Sequence, residues 1–259
     1  MKPDKLKLFL DELYDKYCIP EEVKTDPVSV VRKFKKQEDI EIAAFIASTL
    51  AFGQVSQIVK SLENLFSLTG KSLFEFVRSF DKKNYAIPKS FCHRWVKSND
   101  ISNLFFVLGK KINKNSSLGA YFSEHYKKTG SVEKLLVKLS AEALEFSGLQ
   151  GREKNNFGRL FFPSPEKGSA CKRLNLFLRW MVRRNYPDFG LWRTIQQNEL
   201  IIPLDVHVAN AGIRLGLTKR SSRDWKMASE ITESLRRIDS NDPLKYDFAL
   251  HRWGKSKAF

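Results

Sequence analysis

Apolar residues recur along this chain at three- and four-residue spacing and almost nowhere at alternate positions. Leu6, Phe9, Leu10, Leu13 and Tyr17 share one helical face, as do Val30, Val31 and Phe34. Residues 42–65 form a long apolar-faced stretch broken at Gly53. Leu104, Phe105 and Leu108 keep the same period, and so do Leu135, Leu136, Leu139, Ala143 and Leu144. Further helices are predicted over 172–184, 205–215, 225–238 and 243–253. Local signals agree. Ser131 stands before Glu133 and an apolar run, and Asp242-Pro243 puts proline at a first helical position. No alternating run predicts a strand, and no repeat of fixed period is present. The expected class is therefore all-α. Two irregular stretches interrupt the helices, 147–170 and 185–204. The first holds Gly148, Gly151, Gly158, Pro163, Pro165 and Gly168.

Composition narrows the function. The chain has 259 residues, 42% of them hydrophobic and 12% aromatic, which excludes a disordered basic tail and permits a real core. Lys and Arg number 45 against 29 Asp and Glu, a net charge of +16, so a polyanionic partner is expected. The excess is uneven. Residues 1–150 carry 24 basic and 18 acidic side chains, and residues 151–259 carry 21 and 11. Only three arginines (Arg32, Arg78, Arg94) lie in the first part and thirteen in the second. Arginine's planar fork suits phosphate and buried pairing, so the ligand is sought in the second part.

Cys18, Cys92 and Cys171 are odd in number, widely spaced and without a CxxC. Neither a disulfide framework nor a four-thiolate metal site is expected, and a reducing cytoplasm fits. The N-terminus lacks the apolar core and small-residue cleavage site of a signal peptide. The longest apolar stretch, 43–52, is interrupted by Ser48 and Thr49 and falls short of the ~20 residues that span a bilayer. The expectation is a cytoplasmic protein, nucleoid-associated in a bacterium, with no membrane partner.

Two segments carry candidate chemistry. Residues 163–184 read PSPEKGSACKRLNLFLRWMVRR. A glycine-containing turn at a helix start presents free N–H groups and the positive dipole end, a seat for phosphate. Lys172 falls in that first turn, where the dipole disfavours a cation by about 0.3–1 kcal/mol and so favours a nucleophilic amine. An ordinary solvated lysine is the bland alternative. Residues 200–216 read LIIPLDVHVANAGIRLG. Asp205 opens the second helix as its N-cap, and the same geometry makes it a fixed carboxylate able to steady a sugar cation or deprotonate an amine.

Together these segments resemble a family. Gly168-Ser169-Ala170-Cys171-Lys172 resembles the GxGxK hairpin of the helix-hairpin-helix (HhH-GPD) DNA glycosylases, with Ala170 in place of the second glycine. Pro203-Leu204-Asp205-Val206-His207-Val208 resembles their P-V-D-[TV]-H-V segment, which holds the catalytic aspartate. The likeness spans residues 41–254. Thr49 to Gln54 (TLAFGQ) is similar to an early helix ending in a functional glutamine, and Asp247 to Gly254 (DFALHRWG) to the closing helix. The spacing from Lys172 to Asp205 and the lack of clustered cysteines are more similar to the archaeal 8-oxoguanine (GO) glycosylase branch than to endonuclease III. The pattern is also similar to a related bacterial family of unknown function.

The resemblance implies a two-lobed helical fold with the site in the cleft between lobes. Residues 41–180 would form a central lobe ending in the hairpin, and 1–40 with 181–259 the second lobe. It implies a monomeric base-excision enzyme, a bifunctional glycosylase and AP lyase, acting on double-stranded DNA with an oxidised base such as 8-oxoguanine flipped out of the stack. Lys172 and Asp205 are the implied catalytic residues. Gly168, Ser169, Ala170, Arg173, His207 and Gln54 are implied DNA contacts, and the basic helix 173–184 a phosphate clamp. Asp247, His251 and Trp253 are implied to line the base pocket. No metal, iron–sulfur cluster or other cofactor is implied. Competing expectations are a monofunctional glycosylase using Asp205-activated water, a non-catalytic HhH module binding DNA or RNA, and an accidental match. An accidental match predicts Lys172 and Asp205 more than about 10 Å apart.

Overall fold

The computed structural model describes residues 3–70, 72–83, 87–147 and 156–256. Gly148 and Gly151 of the first irregular stretch lie outside them. The chain is mostly helical, with 66% helix and 2% strand. α1 (Pro3–Tyr17), α2 (Pro20–Lys24), α3 (Val28–Val31), α4 (Gln37–Thr49), α5 (Val55–Ser67) and α6 (Leu73–Arg78) come first. An antiparallel hairpin of β1 (Cys92–His93) and β2 (Val96–Lys97) is next, pairing Cys92 with Lys97 and His93 with Val96. Then come α7 (Ser98–Asn115), α8 (Leu118–Thr129), α9 (Val132–Ser147) and α10 (Asn156–Phe161). A 3₁₀ turn, Pro165–Lys167, precedes α11 (Lys172–Val182). After α12 (Val206–Arg214) and α13 (Trp225–Arg236), a 3₁₀ turn at Pro243–Tyr246 runs into α14 (Asp247–Ser256). No described helix is long and apolar enough to cross a membrane.

The chain divides into two compact units. One comprises Met1–Lys24, Ser131–Glu133 and Ser164–Phe259, the other Thr25–Gly130 and Lys134–Pro163. The division falls at 24/25 and 163/164, whereas the resemblance implies borders at 40/41 and 180/181. The physical reason is visible on α11. Its buried arginines find their partners on segments after residue 185, so the helix belongs with the C-terminal segment.

The second unit is built around α4, which is buried at every residue from 39 to 49. Two acids inside this apolar stretch are satisfied by helix starts. Asp39 Oδ1 accepts from Phe74 N at 2.7 Å and from the Ser72 hydroxyl at 3.0 Å, and Glu41 Oε2 accepts from Gly119 N at 2.9 Å. Each carboxylate thus meets the positive end of α6 or α8, which stabilises an anion. A polar cluster sits beside them. Lys111 Nζ donates to Tyr121 Oη (3.1 Å) and Glu142 (3.4 Å), while His125 Nε2 meets the other Glu142 oxygen at 3.0 Å. Burial pushes Lys111 down to about 8, against the pull of Glu142. Phe161 and Phe162 are core residues of this unit.

The first unit holds an ionic network in its core. Arg179 is 4% exposed and pairs with Asp188 (3.1 Å) and Asp247. Arg183 is 2% exposed and pairs with Asp188 (3.0 Å) and Asp242 (2.8 Å). These two arginines therefore cannot serve the phosphate clamp expected over 173–184. Their forks are taken by three aspartates, which offset the cost of burying them. Part of the arginine excess of the second half is thus structural.

Candidate active site

The site is built where three helices of the first unit meet. Asp205 precedes α12 in extended backbone (φ −121°, ψ −172°), and its Oδ1 accepts from His207 N at 2.9 Å and Val208 N at 3.0 Å. The expected N-cap is therefore present. Oδ2 remains for side chains. Lys172 Nζ, on the first residue of α11, lies 3.3 Å from it, and His251 Nδ1, on α14, lies 3.0 Å from it. His207 stands edge-on to His251, with ring centroids 5.3 Å apart and planes at 90°.

Two devices hold the helices in this register. Arg179 lies two turns beyond Lys172 on α11, and Asp247 lies one turn before His251 on α14. Their buried ion pair ties α11 to α14 at a fixed point. Gly254 lets α14 approach α12, because a Cβ there would lie 2.3 Å from the His207 carbonyl oxygen. No side chain could occupy that position without moving a backbone.

The electrostatics reflect the donors. Burial opposes ionisation of Asp205, yet the His251 hydrogen bond, the Lys172 charge and the Val208 N–H together hold its carboxyl well below the usual carboxylate range. Burial pushes the His207 imidazole below its ordinary value, against the attraction of Asp205. Its Nδ1 is buried without a hydrogen-bond partner. Lys172, Asp205 and His251 side chains keep 31%, 15% and 33% exposure, so the cluster is open to a ligand. Among the described residues no three His, Cys, Asp or Glu side chains converge in a way that could hold a metal ion.

The expected hairpin turn takes a specific form. Gly168 is left-handed (φ 73°) and closes the 3₁₀ turn by donating to the Pro165 carbonyl at 2.8 Å. Ser169 Oγ accepts from Cys171 N at 3.1 Å, and the Ala170 carbonyl accepts from Asn175 Nδ2 at 3.1 Å. The second left-handed residue is Cys171 (φ 50°), so the turn places its positive φ one residue after Ala170. A non-glycine residue there costs roughly 1–2 kcal/mol. Cys171 is buried, and its thiol is pushed up to about 12 by that burial, which makes it a poor nucleophile. Arg173 is half-buried and pushed down to about 10 by desolvation.

The three residues expected in the base pocket part company. His251 joins Asp205. Asp247 is 3% exposed and paired with Arg179, with Oδ1 buried and unpartnered. Trp253 packs edge-on against Phe9 of α1, with centroids 5.5 Å apart.

The family model described as "Protein of unknown function (DUF2400)" matches residues 26–256. The chain belongs to the DUF2400 family. No curated protein and no solved structure matches it. The DUF2400 match takes in α3 to α14 and every residue of the cluster around Asp205.

One feature of this DUF2400 chain is not predicted by the sequence pattern and lies in the second unit. The β1–β2 hairpin turns on Arg94 and Trp95. Trp95 is 59% exposed, stacks on Phe52 (4.7 Å, 17°), and has the Arg94 guanidinium 5.1 Å from its ring centre. Arg94 itself is left-handed (φ 55°) and lies against Gly53. His93 anchors the hairpin from below, bonding Ser61 Oγ (3.0 Å) and the Phe52 carbonyl (3.2 Å). Gln54 is exposed at the start of α5, close in sequence to Phe52, and makes no side-chain cap.

Proposed function

We propose that this DUF2400 chain is a DNA base-excision glycosylase with AP lyase chemistry, acting as a monomer on double-stranded DNA that carries an oxidised base such as 8-oxoguanine. The observation that carries the reading is the pairing of Lys172 and Asp205 at 3.3 Å across 33 residues of sequence. An accidental motif match predicts a separation of about 10 Å or more. The two compact units correspond, in this reading, to the two lobes of the helix-hairpin-helix glycosylase fold. The exposed Arg94–Trp95 tip adds support, because an aromatic face with a cation beside it suits unstacked bases.

In the reaction Lys172 Nζ, after releasing its ammonium proton to solvent, bonds to C1′ while the C1′–N bond breaks; the electron pair leaves with the base, which takes a proton from water. Ring opening gives a Schiff base, and loss of a C2′ proton then expels the 3′ phosphate. Asp205 is held ionised and so is a weak base. Its stronger contribution is to offset positive charge on the sugar and on the iminium nitrogen. The turn at 168–172 and the exposed cations of the first unit hold phosphates without reading sequence.

The test is borohydride trapping on duplexes bearing 8-oxoguanine, other lesions or an abasic site. The expected result is a covalent adduct that Lys172→Ala abolishes. Base excision without any adduct assigns Asp205 to activating water. No excision across the lesions and no trapping at the abasic site overturns the enzyme reading in favour of a binding module.

A further inference from the structure

The Asp205 carboxylate is bound on both oxygens. Oδ1 is held by two backbone N–H groups of α12, and Oδ2 is shared between Lys172 Nζ and His251 Nδ1. Lys172 must leave Oδ2 to reach a sugar carbon. Without a second donor, Oδ2 would then lose its only side-chain partner at the moment when the negative charge is needed in place. His251 is that second donor. Its ring is braced by the edge-on contact with His207, by the seat that Gly254 makes on the His207 backbone, and by the Arg179–Asp247 tie one turn away. The ionisable groups facing it are Asp205 and His207 around α12 and Lys172 on α11, with Asp247 one turn before it on α14.

We propose that His251 is a positioning residue: its Nδ1–H pins Asp205 Oδ2, so that the carboxylate stays aimed and ionised after Lys172 has moved to the sugar. The proposal rests on the glycosylase–lyase reading and assigns His251 a different task from lining a base pocket. One ring nitrogen is committed to Asp205 and the neighbouring imidazole abuts the ring, so His251 is fixed as a donor. A preorganised donor of this kind acts by removing reorganisation from the reaction.

The test uses the full chain and a duplex with a single abasic site, which carries no base to stack. Single-turnover borohydride trapping is compared for wild type, His251→Phe and His251→Asn, with duplex affinity measured alongside. His251→Phe is expected to slow trapping about tenfold or more, the usual order for a lost supporting donor, while affinity stays within about twofold. His251→Asn places an amide N–H near the lost Nδ1–H and is expected to recover most of the rate. Trapping by His251→Phe at the wild-type rate overturns the proposal, and so does His251→Asn no faster than His251→Phe. Wild type that traps nothing overturns the lyase reading instead. The pairing itself is then judged on the free protein by nitrogen-15 NMR of the histidines. A proton on His251 Nδ1 whose resonance shifts in Asp205→Asn supports it, and an unprotonated Nδ1 overturns it.

Discussion

Gly254→Ala places one methyl group where α14 rests on α12. The added Cβ would lie 2.3 Å from the His207 carbonyl oxygen, 2.8 Å from its carbon and 3.2 Å from its Cα. All three are backbone atoms, so no side chain can swing away. Restoring an ordinary separation requires α14 to retreat by roughly 1 Å in a close-packed interior. His251 lies three residues earlier on the same face, and its 3.0 Å bond to Asp205 would stretch past hydrogen-bond reach. Two effects oppose each other. Alanine is favoured over glycine inside a helix by about 0.5–1 kcal/mol. Overpacking costs about 1–3 kcal/mol, and weakening a bond to a charged group adds a similar amount. The clash wins, with a net loss of about 1–5 kcal/mol. Calorimetry should show a melting temperature lower by roughly 2–20 °C for a domain of this size, with slower trapping on an abasic duplex. A Gly254→Ala protein that melts higher, by the helix-propensity gain alone, and traps at the wild-type rate would refute the reasoning.

Other parts of the structure carry three more expected outcomes. Arg183→Leu leaves Asp242 buried without its guanidinium and strips one of two partners from Asp188, so urea denaturation should show a loss of about 3–5 kcal/mol; a loss under about 1 kcal/mol, the size of a surface pair, would contradict the buried network. Lys111, pushed down to about 8 by burial, binds a proton more weakly folded than unfolded, so between pH 8 and its unfolded value of 10.5 the unfolded state holds more protons and stability rises with pH. That rise, at most about 3 kcal/mol by linkage, should vanish in Lys111→Met, and equal pH slopes for both proteins would count against it. Trp95→Ala, at a 59% exposed position, should leave the melting temperature nearly unchanged yet weaken binding to a DNA duplex carrying an unstacked base by about 1–3 kcal/mol, and unaltered affinity would remove the tip from the proposed DNA surface.

The helical period is readable because burial imposes it. The helices predicted over 172–184, 205–215 and 225–238 are found as Lys172–Val182, Val206–Arg214 and Trp225–Arg236. The stretch 42–65 is broken, as Gly53 suggests, between α4 and α5. The segment 243–253 instead divides into a 3₁₀ turn and α14, since Pro243 starts a tighter turn before the α-helix begins. The β-hairpin is invisible in the sequence because its two-residue turn, Arg94-Trp95, lacks the glycine or asparagine that usually marks positive φ. The proximity of Lys172 and Asp205 is legible only through the resemblance of their two segments to one family. The partners of Asp247, Trp253 and His251 are not, because each contact joins positions 46 to 244 residues apart and no local period encodes it.

Asp205 shows why a cap and the proposed catalytic group need not be alternatives. An N-cap aspartate spends one oxygen on the helix start, and that oxygen anchors the group against rotation. The other oxygen then projects from a rigid mount rather than from a free side chain. At Asp205 this second oxygen meets Lys172 and His251, and the whole carboxylate is 15% exposed. The N–H groups that satisfy the helix also favour the ionised form, so the cap contributes to the charge the site presents. A free surface aspartate could match the charge but not the direction. The helix start therefore does part of the site's positioning, and the donors on α11 and α14 complete it.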